Sequence, residues 1–207
     1  MEKVIIILIL SLSSFLLQAQ GNYEQSMGEA FRLWEEGKNQ EASAQFERIA
    51  QVDQNNWLPN YYVALINTTE AFKTKDHTKL NSLLDKAQTS VSIEMLKNPE
   101  NVELLVLQAM IHTAKIASDP MSYGQTLSPA VMELYKKAER IDPNNPRLVY
   151  STAQFEMGTA QFFGTNTQPI CNRIEKSLEL FNNFKPVSPF HPNWGKKQAE
   201  ETLKSCK

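Results

Sequence analysis

Three histidines, two cysteines and several adjacent carboxylates are the residues of this chain that could act on a substrate or hold a metal. His77, His112 and His191 are scattered. None lies three or four positions from another histidine or a cysteine, the spacing that sets two ligands side by side. No HExxH, GxSxG, SxxK, phosphate-loop or dinucleotide glycine pattern occurs. His112 falls on a predicted helix, and His191 belongs to a rigid turn with Pro186, Pro189 and Pro192. Glu35–Glu36 and Glu200–Glu201 fall on predicted solvent-facing helix surface, where paired carboxylates are ordinary solvated charges. The expectation is a protein that is not an enzyme, with no catalytic, cofactor-binding or metal-binding residues.

The cysteines have a different use. Cys171 and Cys206 form an even pair in the last quarter of the chain, the pattern of a disulfide in an exported protein. Cys171 opens a predicted helix that ends near Phe184, and Cys206 closes one that begins near Asn193. Packed as an antiparallel hairpin, two helices of similar length return the second one's end to the first one's start. The alternative is two separate thiols.

Export is also written at the N-terminus. Met-Glu-Lys leads into seven apolar residues, Val4–Leu10, then a Ser-mottled stretch and a small residue at Ala19. This is the layout of a cleaved secretory signal over 1–19, and its apolar run falls short of the ~20 residues that span a bilayer. Stable membrane insertion is not expected, and the signal's style suggests a bacterial source. The remainder, 20–207, suits one domain or one short repeat array. It carries no basic block, and with 21 basic against 23 acidic residues in the whole chain it lacks the positive face that nucleic acid requires. An NTT sequon at 67–69 falls in a predicted helix, which argues against a glycan.

Elements come from a repeat. Alanines in helical stretches recur at Ala30, Ala64, Ala109 and Ala153, interleaved with the helix-stop signals DQNN (53–56), NPEN (98–101) and DPNN (142–145). Alanine lets two helices approach closely, while the Asp/Asn-rich joint ends one helix and starts the next. Helices are predicted near 22–37, 39–52, 57–73, 77–97, 101–117, 128–141, 146–160, 169–184 and 193–206. The segments YGQTLSP (123–129) and FGTNTQP (163–169) read as related loops, with the aromatic of each expected to plug onto the neighbouring hairpin; the alternative is that the two loops flank one rim of the array and contact a partner there.

Residues 37–56, with Gly37, Ala42, Phe46 and Ile49, resemble the second half of a tetratricopeptide repeat, and AERIDPNN (138–145) resembles the repeat's end. At superfamily level the resemblance covers most of 22–184. It implies an all-α fold, a right-handed α-α superhelix of about four helical hairpins, closed by a C-terminal capping helix. It also implies a concave groove lined by Met27, Phe31, Trp34, Tyr61, Leu65, Val106, Met110, Tyr150, Gln154 and Met157. That lining is apolar and aromatic, so it suits an apolar peptide or helix rather than a free carboxylate.

The reading is thus an exported protein, periplasmic or secreted, that binds a protein or peptide partner in this groove. The alternative is a carrier or sensor of a small apolar ligand in the same cavity. Self-association through the groove stays open.

Overall fold

The computed structural model describes residues 22–206, so the expected signal segment lies outside the described residues. Those residues form nine α-helices and no strand. They are α1 (22–35), α2 (Asn39–Val52), α3 (Trp57–Ala71), α4 (His77–Lys97), α5 (Val102–Ser118), α6 (Pro120–Ile141), α7 (Pro146–Phe163), α8 (Gln168–Asn183) and α9 (Lys196–Lys204). The described residues divide into two compact units, one up to Val63 and one from Ala64 onward, with the boundary inside α3.

The stop signals are one device used three times. The first residue of each receives the end of a helix: the N–H groups of Asp53, Asn98 and Asp142 reach the carbonyls of Ile49, Glu94 and Ala138 at 2.8–2.9 Å. The last residue starts the next helix. Asn56 accepts from Leu58 N–H at 3.1 Å, Asn101 from Glu103 at 3.0 Å, and Asn145 from Arg147 at 3.0 Å. Each joint also closes on itself, with Asn56, Asn101 and Asn145 donating back to the joint's first carbonyl. An asparagine cap contributes about 1 kcal/mol by satisfying helix N–H groups that have no partner within the helix.

In the first unit the core is aromatic. Phe46 and Tyr62 stack at 5.2 Å, and Phe31 meets both edge-on, at 5.3 Å from Phe46 and 4.7 Å from Tyr62. In the second unit successive helices from α4 to α9 pack pairwise, and α5 also packs on α7. One core cluster joins Leu105, Val106, Ala109, Val131, Tyr135, Leu148 and Phe155. Another joins Tyr150, Ala153, Met157, Cys171, Ile174, Phe181 and Ala199.

A buried ion pair ties α5 to α7. Arg147 donates to Glu103 through Nε at 2.7 Å and Nη2 at 2.6 Å, and Asn145 adds a third donor at 2.8 Å. Phe184 covers the guanidinium, its ring centre 4.4 Å away, and His191 stacks on Phe184. Glu103 and Arg147 stand 44 positions apart, the repeat step, so each follows its capping asparagine by two residues.

The disulfide forms as expected, joining Cys171 on α8 to Cys206 just past α9 with 5.9 Å between Cα atoms. At the start of α9, Gly195 holds φ +110°, and a Cβ there would lie 2.5 Å from the Phe181 ring. Only glycine fits this position.

One expected loop is helix instead. α6 begins at Pro120, eight residues earlier than the sequence reading placed it, and YGQTLSP lies within it. Asp119 accepts from Ser122 N–H at 3.1 Å as N-cap, and Pro120 suits a first turn that needs no N–H donor. Pro129 sits inside the helix and cannot donate to the Gln125 carbonyl. FGTNTQP is the turn the sequence suggested. Gly164 takes φ +67°, which lets Thr165 N–H return to the Ala160 carbonyl at 2.8 Å, and α8 follows from Gln168.

Candidate functional site

Most of the residues expected to line a groove are spent on cores. In the first unit Met27 and Tyr61 have no exposed surface, while Phe31 and Trp34 are half-buried beside Tyr62. In the second unit Leu65 is buried, Val106 lies in the α5–α6–α7 core, and Met110 packs partly against that core. Tyr150 and Met157 pack with the disulfide-linked hairpin, and the Tyr150 hydroxyl meets Thr202 Oγ1 at 3.1 Å. Gln154 alone of the ten is exposed.

The larger recess of the second unit lies on another face of α7. α6 and α8 both pack on α7, and a trough runs between them over Thr152, Phe155, Glu156 and Thr159. It exists because α7 carries small residues there, Thr152, Thr159 and Ala160, where a large apolar side chain would fill the gap.

Two cavities make up the trough and share Met132 and Glu156. One, of about 490 Å³, is lined by Pro129, Met132, Phe155, Ala160 and Ile170 together with the polar Ser128, Thr159, Thr165 and Asn166. The other, of about 350 Å³, is lined by Tyr135, Leu148 and Val149, and by Lys136, Arg173 and Lys176 alongside Glu139 and Glu156. Arg173 Nη1 donates to Glu156, and Lys136 pairs with Glu133 at 3.2 Å. Burial pushes the Tyr135 phenol well above its ordinary range, against a hydrogen bond with Thr113 that pulls the other way, so it stays neutral. The trough is therefore apolar at one end and charged, with three cations against two carboxylates, at the other. Volumes of this order are typical of small-ligand sites.

A smaller cleft of about 200 Å³ gathers Gln88, His112, Lys115 and Tyr123 between α4, α5 and α6. Gln88 and Gln108 exchange reciprocal amide hydrogen bonds at 2.7 and 2.8 Å, and Gln108 reaches the His112 ring at 3.2 Å. Burial lowers the His112 pKa, as does Lys115, so the ring is neutral at physiological pH. Among the described residues, no group of three or more His, Cys, Asp or Glu is placed to hold a metal ion, and no helix is long and apolar enough to cross a membrane.

The plug expected at the two related segments does not form at the second. Phe163 is 71 % exposed and Phe162 59 %. The aromatic of the first, Tyr123, lies along α6 with the Lys115 ammonium 5.8 Å from its ring centre. Sequence reasoning placed the binding face of α7 on 150, 154 and 157, one face away from the trough. The signal that could have found it is the Phe162–Phe163 pair beside a glycine turn, an apolar surface with no partner in the pattern.

These features define an all-helical protein of serially paired helices with an open, two-ended trough. No protein-family model matches the chain, and no curated protein matches it. Among solved structures, the chain is similar to the HusA haemophore from Porphyromonas gingivalis. The TM-score is 0.78, over 89% of this chain and 92% of that one, at 24% sequence identity. That likeness is one of fold.

Proposed function

We propose that this protein is a non-catalytic carrier of a small, flat, largely apolar ligand with acidic substituents, of the porphyrin class, held in the α6–α7–α8 trough. The observation that carries the reading is the trough's polarity along its length. The apolar end offers Phe155, Ile170 and the adaptable thioether of Met132 to a ring system. The other end places Lys136, Arg173 and Lys176 where carboxylates could be met. The fold's likeness to a haemophore supports the same class of cargo. The disulfide supports export, since such bonds persist in oxidising compartments.

Titration of the purified protein with haem and with iron-free protoporphyrin tests this, read by the porphyrin absorbance band and by quenching of tryptophan fluorescence. Trp194 packs partly against the α5–α6–α7 core and serves as a reporter in the same unit. Saturable binding that weakens when Lys136 and Lys176 are changed to Gln is expected. No saturable change with either ligand would overturn the reading.

A further inference from the structure

Between Ala160 and Thr165, both of which line the apolar cavity, the chain carries two aromatic rings that folding leaves in water. Phe162 and Phe163 meet edge-to-face, with centroids 5.1 Å apart and planes at 87°. An adjacent pair of rings this exposed is seldom without a use. Their register on α7 gives one. Phe155 and Thr159 line the apolar cavity, and Phe163 follows at the next i+4 step, so the stripe that floors the trough continues onto the exposed ring. On the far side of the pair the chain returns at once to the same cavity, which Thr165 and Asn166 also line. The turn between them is fixed. Gly164 is left-handed, and its N–H and that of Thr165 close onto Gln161 and Ala160 at 3.4 and 2.8 Å. The rings are thus mounted on a capped helix end rather than on a loose loop.

We infer that Phe163, braced by Phe162, is a stacking platform for the part of a flat aromatic ligand that projects beyond the apolar end of the trough. This rests on the carrier reading and adds a specificity element: ligands with a broad aromatic face gain contact there, and aliphatic ones of equal length gain less. Aromatic stacking on an exposed ring changes affinity by roughly fivefold to tenfold.

Iron-free protoporphyrin, titrated into the full mature chain by fluorescence, gives the test. Phe163→Ala should raise Kd by about tenfold. Phe163→Trp should stay within about twofold of wild type, and both variants should melt as wild type does because the ring is mostly solvent-exposed. Phe72→Ala, at an exposed phenylalanine just past the end of α3, should leave Kd unchanged. Unaltered affinity in Phe163→Ala would overturn the platform while leaving the carrier reading intact. Failure of the wild-type protein to bind protoporphyrin would overturn the platform, and failure to bind haem as well would overturn the carrier reading with it.

Discussion

Two faces of α7 meet opposite fates. One carries Tyr150, Ala153 and Met157 into a sealed core against α8, α9 and the Cys171–Cys206 bridge. The other carries Thr152 and Thr159 under an open trough. The difference lies in side-chain size and in what is fastened opposite. Where a disulfide, a buried phenol and Gly195 let α9 close down, large residues interlock. Where α6 and α8 stand apart over small residues, a recess remains. Stability should therefore be concentrated on the first face and at the helix starts, and ligand binding on the second.

The largest break in that division is expected from Glu103→Ala. It strips the wholly buried Arg147 of its bidentate partner, which should cost roughly 3–5 kcal/mol in urea unfolding. Replacing both cysteines with serine frees a 35-residue span and should cost about 3–4 kcal/mol by the loop-entropy relation. The trough, which neither cysteine lines, should keep its ligand affinity if the protein is assayed below its new melting point.

A smaller effect is expected from pH. Burial lowers His112, helped by Lys115. Burial also lowers His191, with Glu103 pulling up and Arg147 pushing down. A histidine whose folded pKa is depressed takes up its proton sooner in the unfolded chain. Stability should hold above the ordinary histidine value of about 6.5 and fall as pH drops below it. Urea midpoints between pH 7.5 and 5 check this, and a His112→Gln, His191→Gln variant should flatten the slope.

The smallest effect on stability belongs to the open face. Thr159→Glu, at an exposed position in the apolar cavity, should shift stability by no more than about 0.5 kcal/mol. Its added bulk and charge should nonetheless remove porphyrin binding. Comparable losses of both would erase the distinction between the faces.

Much of the fold was legible because its punctuation is local. Asn56, Asn101 and Asn145 cap helices through atoms two residues away, so the joints could be read from DQNN, NPEN and DPNN without tertiary knowledge. The Cys171–Cys206 pairing followed from an even pair of cysteines in an exported chain, together with the lengths of the two helices that carry them. Asp119–Pro120 is an equally local start signal, but the glycine and proline of YGQTLSP masked it, and tertiary packing carries the helix through Pro129. The site was less legible. Helical spacing says which residues are apolar, not which side another helix covers, so Tyr150 and Met157 read as groove when they are core. A trough defined by what is small and missing leaves little trace in a pattern of large residues. Phe162 and Phe163 were visible in the sequence, but their exposure depends on the left-handed turn at Gly164.

The proposal that this protein is a carrier stands or falls on whether the face of α7 bearing Thr159 holds a flat, acidic, aromatic ligand. Parallel titration of protoporphyrin into wild-type protein and Thr159→Glu, with urea unfolding of each, tests it most directly. The prediction is saturable binding by the wild type, none by the variant, and superimposable unfolding curves. Equal binding by both proteins would contradict it.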